Sequence, residues 1–388
     1  MWIWKGEDMK KIVILFLVLA TVLSLTGCGN EVEDKKNADT ETSPLYGKKV
    51  AYVMQMAPSE IFQMWSASAE ETANRLGMEY EAFFCNGSDE QWMETVEQCA
   101  GEGYDGLLLS HGGEEYSYGF LTGLMEQYPN LKIATFDTFF EDDEGNSVRI
   151  DGVTQFFQQD SRMAEDLLDY ICNDLYGEKV EAGEPVNILK VWVGPDYLAA
   201  FDRREAGYAR YEEEGLIDTV ETIGPSDFGD AERSMKEVMA GTLENYQDDE
   251  IDAIWCCYDL YAQGVYEALT EAGRDIPMVS VDISGRDMEM MTAENSSWKA
   301  CATTNWHNNG EFGMRVLALE MTGDYGDIVD PSTGEASDWL EIPVSVITQE
   351  MISEKDIDID SLERVAGDEY SDRSWMPAAD WMKEFLGD

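Results

Sequence analysis

The sequence predicts an α/β protein of two similar lobes, each built on a doubly wound parallel sheet. Three observations carry that reading. The first is Ile251–Ser284, where an apolar run (Ile251–Cys257) ends on Tyr258-Asp259. A helical pattern follows, with Val265, Ala268 and Leu269 on one face, and Gly273 closes it. Pro277 then introduces a second apolar run, Met278–Val281, which ends on Asp282. Short apolar runs around a helix read as strand–helix–strand with parallel strands. The second observation is an echo in the first half of the chain. Tyr104–Ser110 matches the first run, Lys132–Asp137 the second, and Lys49–Val53 matches Asn187–Val191. The third is an Asp at the end of the later strand of each half, Asp137 and Asp282. Ligands of open parallel sheets bind just outside the strand carboxyl ends, so a cleft between the lobes is the expected site.

The N-terminus reads as an address. Lys10-Lys11 precede the apolar run Ile12–Leu25 and then Leu25-Thr26-Gly27-Cys28. A basic start, a short apolar stretch and small residues make a secretory signal, and the run is short of the roughly 20 residues a spanning helix needs. The last four residues resemble a bacterial lipobox, which implies diacylation of Cys28. Residues 1–28 are therefore expected to be a lipoprotein signal, with 29–46 a polar tether to the outer face of the cell membrane.

Each later element has its own reason. Strand Lys49–Met54 leads to Ser59, an N-cap for a helix to Leu76 that Gly77 ends. Strand Met78–Phe84, helix Asp89–Ala100, strand Tyr104–Ser110, helix Glu114–Gln127 and strand Lys132–Asp137 complete a lobe. Ile150–Gln159 changes character and is expected to cross between lobes. The second lobe takes helix Ser161–Leu175, strand Val186–Val193, a helix to about Glu214, strand Thr219–Ile223 and helix Asp230–Asn245 before the opening unit. Strand Trp298–Asn305, helix Asn308–Met321 and a late strand Ile342–Ile347 follow. From Glu354 the chain is an acidic tail with Trp375 and Trp381. The lobes are expected to span 47–154 with 306–347, and 155–305 with 348–388.

Composition excludes several functions. The formal net charge is −54, from 26 Lys and Arg against 80 Asp and Glu. Such a surface repels nucleic acid and anionic lipid. Apolar residues are 44%, enough for sizeable cores. Only two histidines exist, His111 and His307, and no HExxH, P-loop or GxSxG occurs. Gly101-Glu102-Gly103 lacks the third glycine of a dinucleotide fingerprint, so no metal or cofactor is expected. The six cysteines beyond Cys28 show no CxxC or Cys/His spacing, and their pairing is open. The candidate cleft residues share sugar-binding chemistry: carboxylates accept from hydroxyls, Arg donates, and aromatic rings lie on the sugar C–H face.

From about Lys48 to Ile347 the chain resembles the sugar-binding proteins of ABC importers, the ribose/galactose type of the type I periplasmic binding fold. The resemblance rests on Val53–Met78 with Ala73-Asn74-Arg75-Leu76-Gly77, on Phe136-Asp137, on Asp202-Arg203-Arg204-Glu205-Ala206-Gly207-Tyr208, and on Val281-Asp282. It implies a monomeric, membrane-anchored receptor, not an enzyme, that hands a sugar to a permease. It also implies three hinge crossings, near Gly152–Gln159, Thr304–Trp306 and Thr348. By position it implies that Phe62 stacks on the sugar or fills the core, and that Gln55 and Ser59 are polar contacts, with a helix cap the other role for Ser59. Asp137 and Asp282 would accept from hydroxyls or cap helices, and Arg204 would donate or form a surface salt bridge. Phe228 matches an aromatic that is either hinge-side or core. Departures fall at Asp137-Thr138, where the family often has Asp-Arg, and at Tyr258-Asp259, where it has Asn-Asp. A family Gln falls here near Thr304, Asn305 or Trp306. Two other functions stay open. One is a receptor for a nucleoside or furanose-like signal, using Tyr258 and Trp306 as a slot. The other is an exported glycoside hydrolase using Asp137 and Asp282.

Overall fold

Alternating strands and helices dominate the computed structural model, which describes residues 39–142, 144–195, 197–247, 249–353 and 357–387. The signal, Cys28 and the tether as far as residue 38 lie outside the described residues. Tether residues 39–46 are built into the fold. Asp39 caps a turn at Thr40–Thr42, and Leu45 is buried in the first lobe's core.

The first lobe contains β1 (Lys49–Met54), α1 (Glu60–Arg75), β2 (Glu79–Phe84), α2 (Asp89–Glu102), β3 (Gly106–Ser110), α3 (Glu114–Gln127), β4 (Lys132–Phe136) and β5 (Val153–Gln158). The chain then enters the second lobe. There it forms α4 (Asp160–Asp169), a π turn at Tyr170–Leu175, α5 (Gly177–Glu181), β6 (Val186–Val191), α6 (Ala199–Glu213), β7 (Ile217–Ile223) and α7 (Ala231–Leu243). β8 (Ala253–Cys256), α8 (Asp259–Ala272), β9 (Met278–Val281), α9 (Gly285–Met291) and β10 (Trp298–Thr303) follow. α10 (Trp306–Thr322) returns to the first lobe. β11 (Trp339–Ile342), β12 (Ser345–Thr348), α11 (Gln349–Ile352), α12 (Gly367–Ser371) and α13 (Asp380–Leu386) end the chain.

The sheets run β11-β5-β4-β3-β1-β2 and β12-β10-β9-β8-β6-β7. Every pairing is parallel except β10 with β12. The two orders are the same order twice, as the echo in the sequence predicts. Central strands β3 and β8 are buried along their whole length, which is why they read as unbroken apolar runs.

Three features differ from the sequence reading. The expected crossing segment forms β5, all buried, and belongs to the first sheet through Gln158, not only to residue 154. Its alternation is masked because both faces are covered. The single late strand divides into β11 on the first sheet and β12 on the second, with Pro343-Val344 between them. The third crossing therefore falls there, ahead of Thr348. The tail is shared between the lobes. Ile359, Leu362 and Tyr370 pack into the second core, whereas Ala379, Met382 and Leu386 pack into the first. α9 carries no signal that the sequence reading used.

Glycines set how closely helices approach, and two of them bear on the site. A Cβ on Gly310 of α10 would lie 2.0 Å from the Trp65 carbonyl of α1. A Cβ on Gly207 of α6 would lie 2.2 Å from the Ser161 carbonyl of α4. The second contact brings α6 onto the start of α4, where Asp160 meets the arginines of α6.

Candidate functional site

Three strand ends share one local construction. His111, Asp137 and Asp282 each follow a strand directly, after β3, β4 and β9. Each still donates its N–H to the neighbouring strand: His111 to Phe136 (3.1 Å), Asp137 to Phe156 (3.0 Å) and Asp282 to Ala302 (2.8 Å). Each then turns left-handed, at φ 59°, 47° and 68°. A side chain disfavours that region, and such strain persists where surrounding structure fixes it, often at functional sites. Here the ladder hydrogen bond fixes it, and the chain leaves the sheet edge with the side chain beyond it.

A line of charged groups joins these ends. His111 Nε2 lies 3.6 Å from Asp137 Oδ2, and Arg203 Nη2 lies 3.6 Å from Asp137 Oδ1. Arg203 Nη2 also donates to Asp160 Oδ2. Arg204 Nε donates to Asp160 Oδ1 at 2.9 Å, and Arg204 Nη2 lies 3.6 Å from Asp282 Oδ2. His111 and Asp137 belong to the first lobe and the other four to the second, so Asp137–Arg203 spans the lobes. A second contact across them is the Gly285 N–H to Glu60 Oε2, at 3.0 Å.

Aromatic rings surround the first-lobe end. Phe62 meets His111 edge-on at 5.3 Å and Trp306 at 6.0 Å, and Phe136 meets both (5.7 and 6.4 Å). The Arg203 guanidinium lies over Phe157 at 4.2 Å.

Burial sets the electrostatics. It lowers the His111 pKa, against the pull of Asp137 and Asp160, so the ring is neutral near pH 7. Burial pushes the Asp282 carboxyl up to about 6, and Arg204 opposes that rise. It likewise pushes Asp160 up against both arginines. Within this cluster four buried polar atoms have no hydrogen-bond partner among the described residues: Arg203 Nε, Arg203 Nη1, Asp282 Oδ1 and Trp306 Nε1. Three donors and one acceptor are thus out of water without a protein partner, an arrangement that costs energy unless a ligand completes it.

The structure therefore brings together Phe62, Asp137, Arg204, Asp282 and Trp306 among the expected residues. Tyr258 is half-buried beside them, packed on Phe201 at 5.8 Å, and Arg204 lies over that same ring at 5.4 Å. Asp259 is hydrogen-bonded to the Asp287 carboxyl, and burial pushes both groups up. The remaining four are engaged elsewhere. The Gln55 amide donates to Asp89 (3.0 Å), and Ser59 caps α1 by accepting from Phe62 N–H (3.4 Å). Asn305 caps α10 and donates to the Tyr370 carbonyl (3.2 Å). Phe228 is 50% exposed and stacks on Tyr197.

Sequence reasoning passed over His111, Arg203 and Asp160. His111 follows a strand just as Asp137 does, so the strand-end rule reaches it. Arg203 adjoins Arg204 in the quoted motif. Asp160 carries no sequence signal, because its role comes from the contact of α6 with α4.

Among the described residues no group of His, Cys, Asp or Glu is arranged to hold a metal ion. All six cysteines beyond Cys28 are free and buried. No described helix is long and apolar enough to cross a membrane.

Known structures share this architecture. A sugar ABC transporter protein from Yersinia enterocolitica subsp. enterocolitica 8081 superposes with a TM-score of 0.68 at 24% identity, covering 88% of this chain and 94% of that one. The 5-methylthioribose transporter solute-binding protein of Thermotoga lettingae TMO, in complex with 5-methylthioribose, gives 0.70 at 19%, covering 88% and 99%. A periplasmic ribose ABC transporter protein from Conexibacter woesei DSM 14684 gives 0.66 at 14%, covering 84% and 100%. At these identities the likeness shows the fold. No curated protein sequence matches the chain. Residues 50–324 match the periplasmic binding protein domain, most of the folded chain, and the protein belongs to that family of binding proteins rather than to a family of enzymes.

Proposed function

We propose that this protein is an extracytoplasmic receptor that captures a neutral sugar between its lobes and delivers it to an ABC importer. The observation that carries the reading is the set of four buried, unpartnered polar atoms on Arg203, Asp282 and Trp306. Their chemistry suits a polyol: donors for hydroxyl and ring oxygens, a carboxylate acceptor for hydroxyl protons, and aromatic faces at Phe62 and Trp306 for the C–H surface. Charge narrows the class. Three carboxyl groups face two guanidiniums and a neutral imidazole, so the cluster carries no positive excess to hold a sugar acid or sugar phosphate. The transporter neighbours support the importer partner, and Leu25-Thr26-Gly27-Cys28 supports a lipid anchor on Cys28.

Thermal melts test it directly. A ligand at about 100 times its dissociation constant adds roughly 2.7 kcal/mol to the folded state. A neutral pentose, hexose or sugar alcohol should raise the melting temperature by several degrees, whereas the matching aldonic acids should not. A shift only with acids or nucleosides would replace the reading. Mass spectrometry of the protein from membranes, showing diacylglycerol on Cys28, tests the anchor.

A further inference from the structure

Two adjacent arginines reach the centre of the candidate site, and their surroundings differ. Arg204 has two nitrogens hydrogen-bonded to protein and the third ion-paired. Nε donates to Asp160 (2.9 Å), Nη1 donates to the Cys257 carbonyl (2.7 Å), and Nη2 faces Asp282 (3.6 Å). Its side chain is 3% exposed. Arg203 spends one nitrogen on protein: Nη2 faces Asp160, the Gln158 carbonyl and Asp137. Its Nε and Nη1 are buried with no partner. Phe157 covers one face of its guanidinium, and Asp160 fixes its position.

We propose that Arg203, not the motif residue Arg204, is the arginine that binds ligand, and that Arg204 is a positioning residue. This rests on the receptor reading above and assigns roles within the same site. A guanidinium always carries its charge and all its donors. Unsatisfied donors on a buried charged group are costly, so the two free nitrogens of Arg203 are the places where a ligand oxygen gains most. Arg204 by contrast holds the Cys257 carbonyl after β8 and Asp160 of α4 by hydrogen bonds, and its remaining nitrogen already faces Asp282 at the β9 end. Arg203 also differs in reach. It stands on the second lobe and faces Asp137 on the first. A ligand oxygen accepting from Arg203 while its neighbouring hydroxyl donates to Asp137 is held by both lobes at once. Those paired contacts exist only in the closed arrangement, so they favour closure by that difference in affinity.

Calorimetric titration of the wild type, Arg203→Lys and Arg204→Lys with a panel of neutral pentoses, hexoses and sugar alcohols tests this. Each lysine keeps the charge and removes the fork of donors. Arg203→Lys should weaken the sugar that binds by about tenfold or more, and it should melt lower by less than Arg204→Lys, since two of its guanidinium nitrogens hold nothing in the protein. Arg204→Lys should melt lower, since three protein contacts are lost. Arg204→Gln, which removes the charge, should also move upward the pH below which affinity falls, because the Arg204 charge opposes the rise of the Asp282 carboxyl. Wild-type affinity in Arg203→Lys, an Arg204→Lys that melts like the wild type and alone loses binding, or an unmoved pH profile in Arg204→Gln would overturn the assignment and leave the receptor reading intact. Should Arg203→Lys fold poorly, Arg203→Gln, which keeps an amide donor, takes its place with the same expectations. Failure of the wild type to bind any member of the panel would overturn both.

Discussion

At the residue scale, the site is made by non-glycine residues in a backbone conformation that suits glycine. Asp282 combines left-handed strain with a carboxyl whose burial favours its neutral form. Asp282→Gly removes both, which offsets the lost 3.6 Å contact to Arg204. We expect it to melt at or above the wild-type temperature while sugar affinity falls by about ten- to a hundredfold. Melting curves and calorimetry on the same preparation check both halves. The raised carboxyl also sets a pH dependence. Asp282 accepts from hydroxyls best when ionised, so affinity should hold at neutral pH and fall as pH drops through about 6. A titration series from pH 8 to pH 4.5 reads it, and a flat profile would remove Asp282 from the ligand contacts. Asp137, Asp282 and Arg204 were legible in the sequence because strand-end positions and the motif marked them. His111 and Arg203 were within reach of the same signals. Asp160 was not, because no local pattern says that a helix start will meet a helix distant in sequence.

At the element scale, close helix contacts carry the geometry. Gly207 lets α6 lie against α4, and that contact holds Asp160 between Arg203 and Arg204. Gly207→Ala places a methyl where the Ser161 carbonyl sits. It should cost about 1–3 kcal/mol of stability and weaken binding together, as denaturant melts and titrations will show. A second element carries a buried carboxyl. Glu320 of α10 accepts the Thr154 N–H of β5 at 2.8 Å, and burial pushes its pKa up to about 8. Because the folded value is raised, the neutral carboxyl stabilises most at low pH, and that contribution is lost as pH rises through about 8. Glu320→Gln should therefore match the wild type near pH 4.5 and exceed it by on the order of a few kcal/mol near pH 9. The elements most legible in the sequence were those with a cap or a glycine stop, such as α1 behind Ser59 and α8 before Gly273. β5 and the β11–β12 pair were misread. A fully buried strand and a two-residue lobe crossing leave no alternation or turn signature behind.

At the scale of the whole molecule, two sheets of the same order face each other across charged strand ends, and the chain passes between them at 158–160, 303–306 and 342–345. The tail makes a fourth passage. Tyr370 accepts from Asn305 and Asn308 at the second crossing, and Arg373 pairs with buried Glu311 of α10. α13 then covers the first lobe, where Arg75 donates to the Phe385 carbonyl at 3.2 Å. Removal of 375–388 should lower the melting temperature by exposing that face of the first core. The sequence showed an acidic tail but not this course, which depends on which lobe offers an apolar surface. The repeat of strand order, by contrast, was plain from the paired runs. The central claim is that a neutral sugar is held by both lobes at once. Calorimetric titration of the purified protein with neutral sugars, beside Asp137→Ala from one lobe and Asp282→Ala from the other, tests it most directly. The account predicts one-to-one binding of a neutral sugar that either substitution weakens by about tenfold or more. Binding untouched by both substitutions, or confined to anionic ligands, would contradict it.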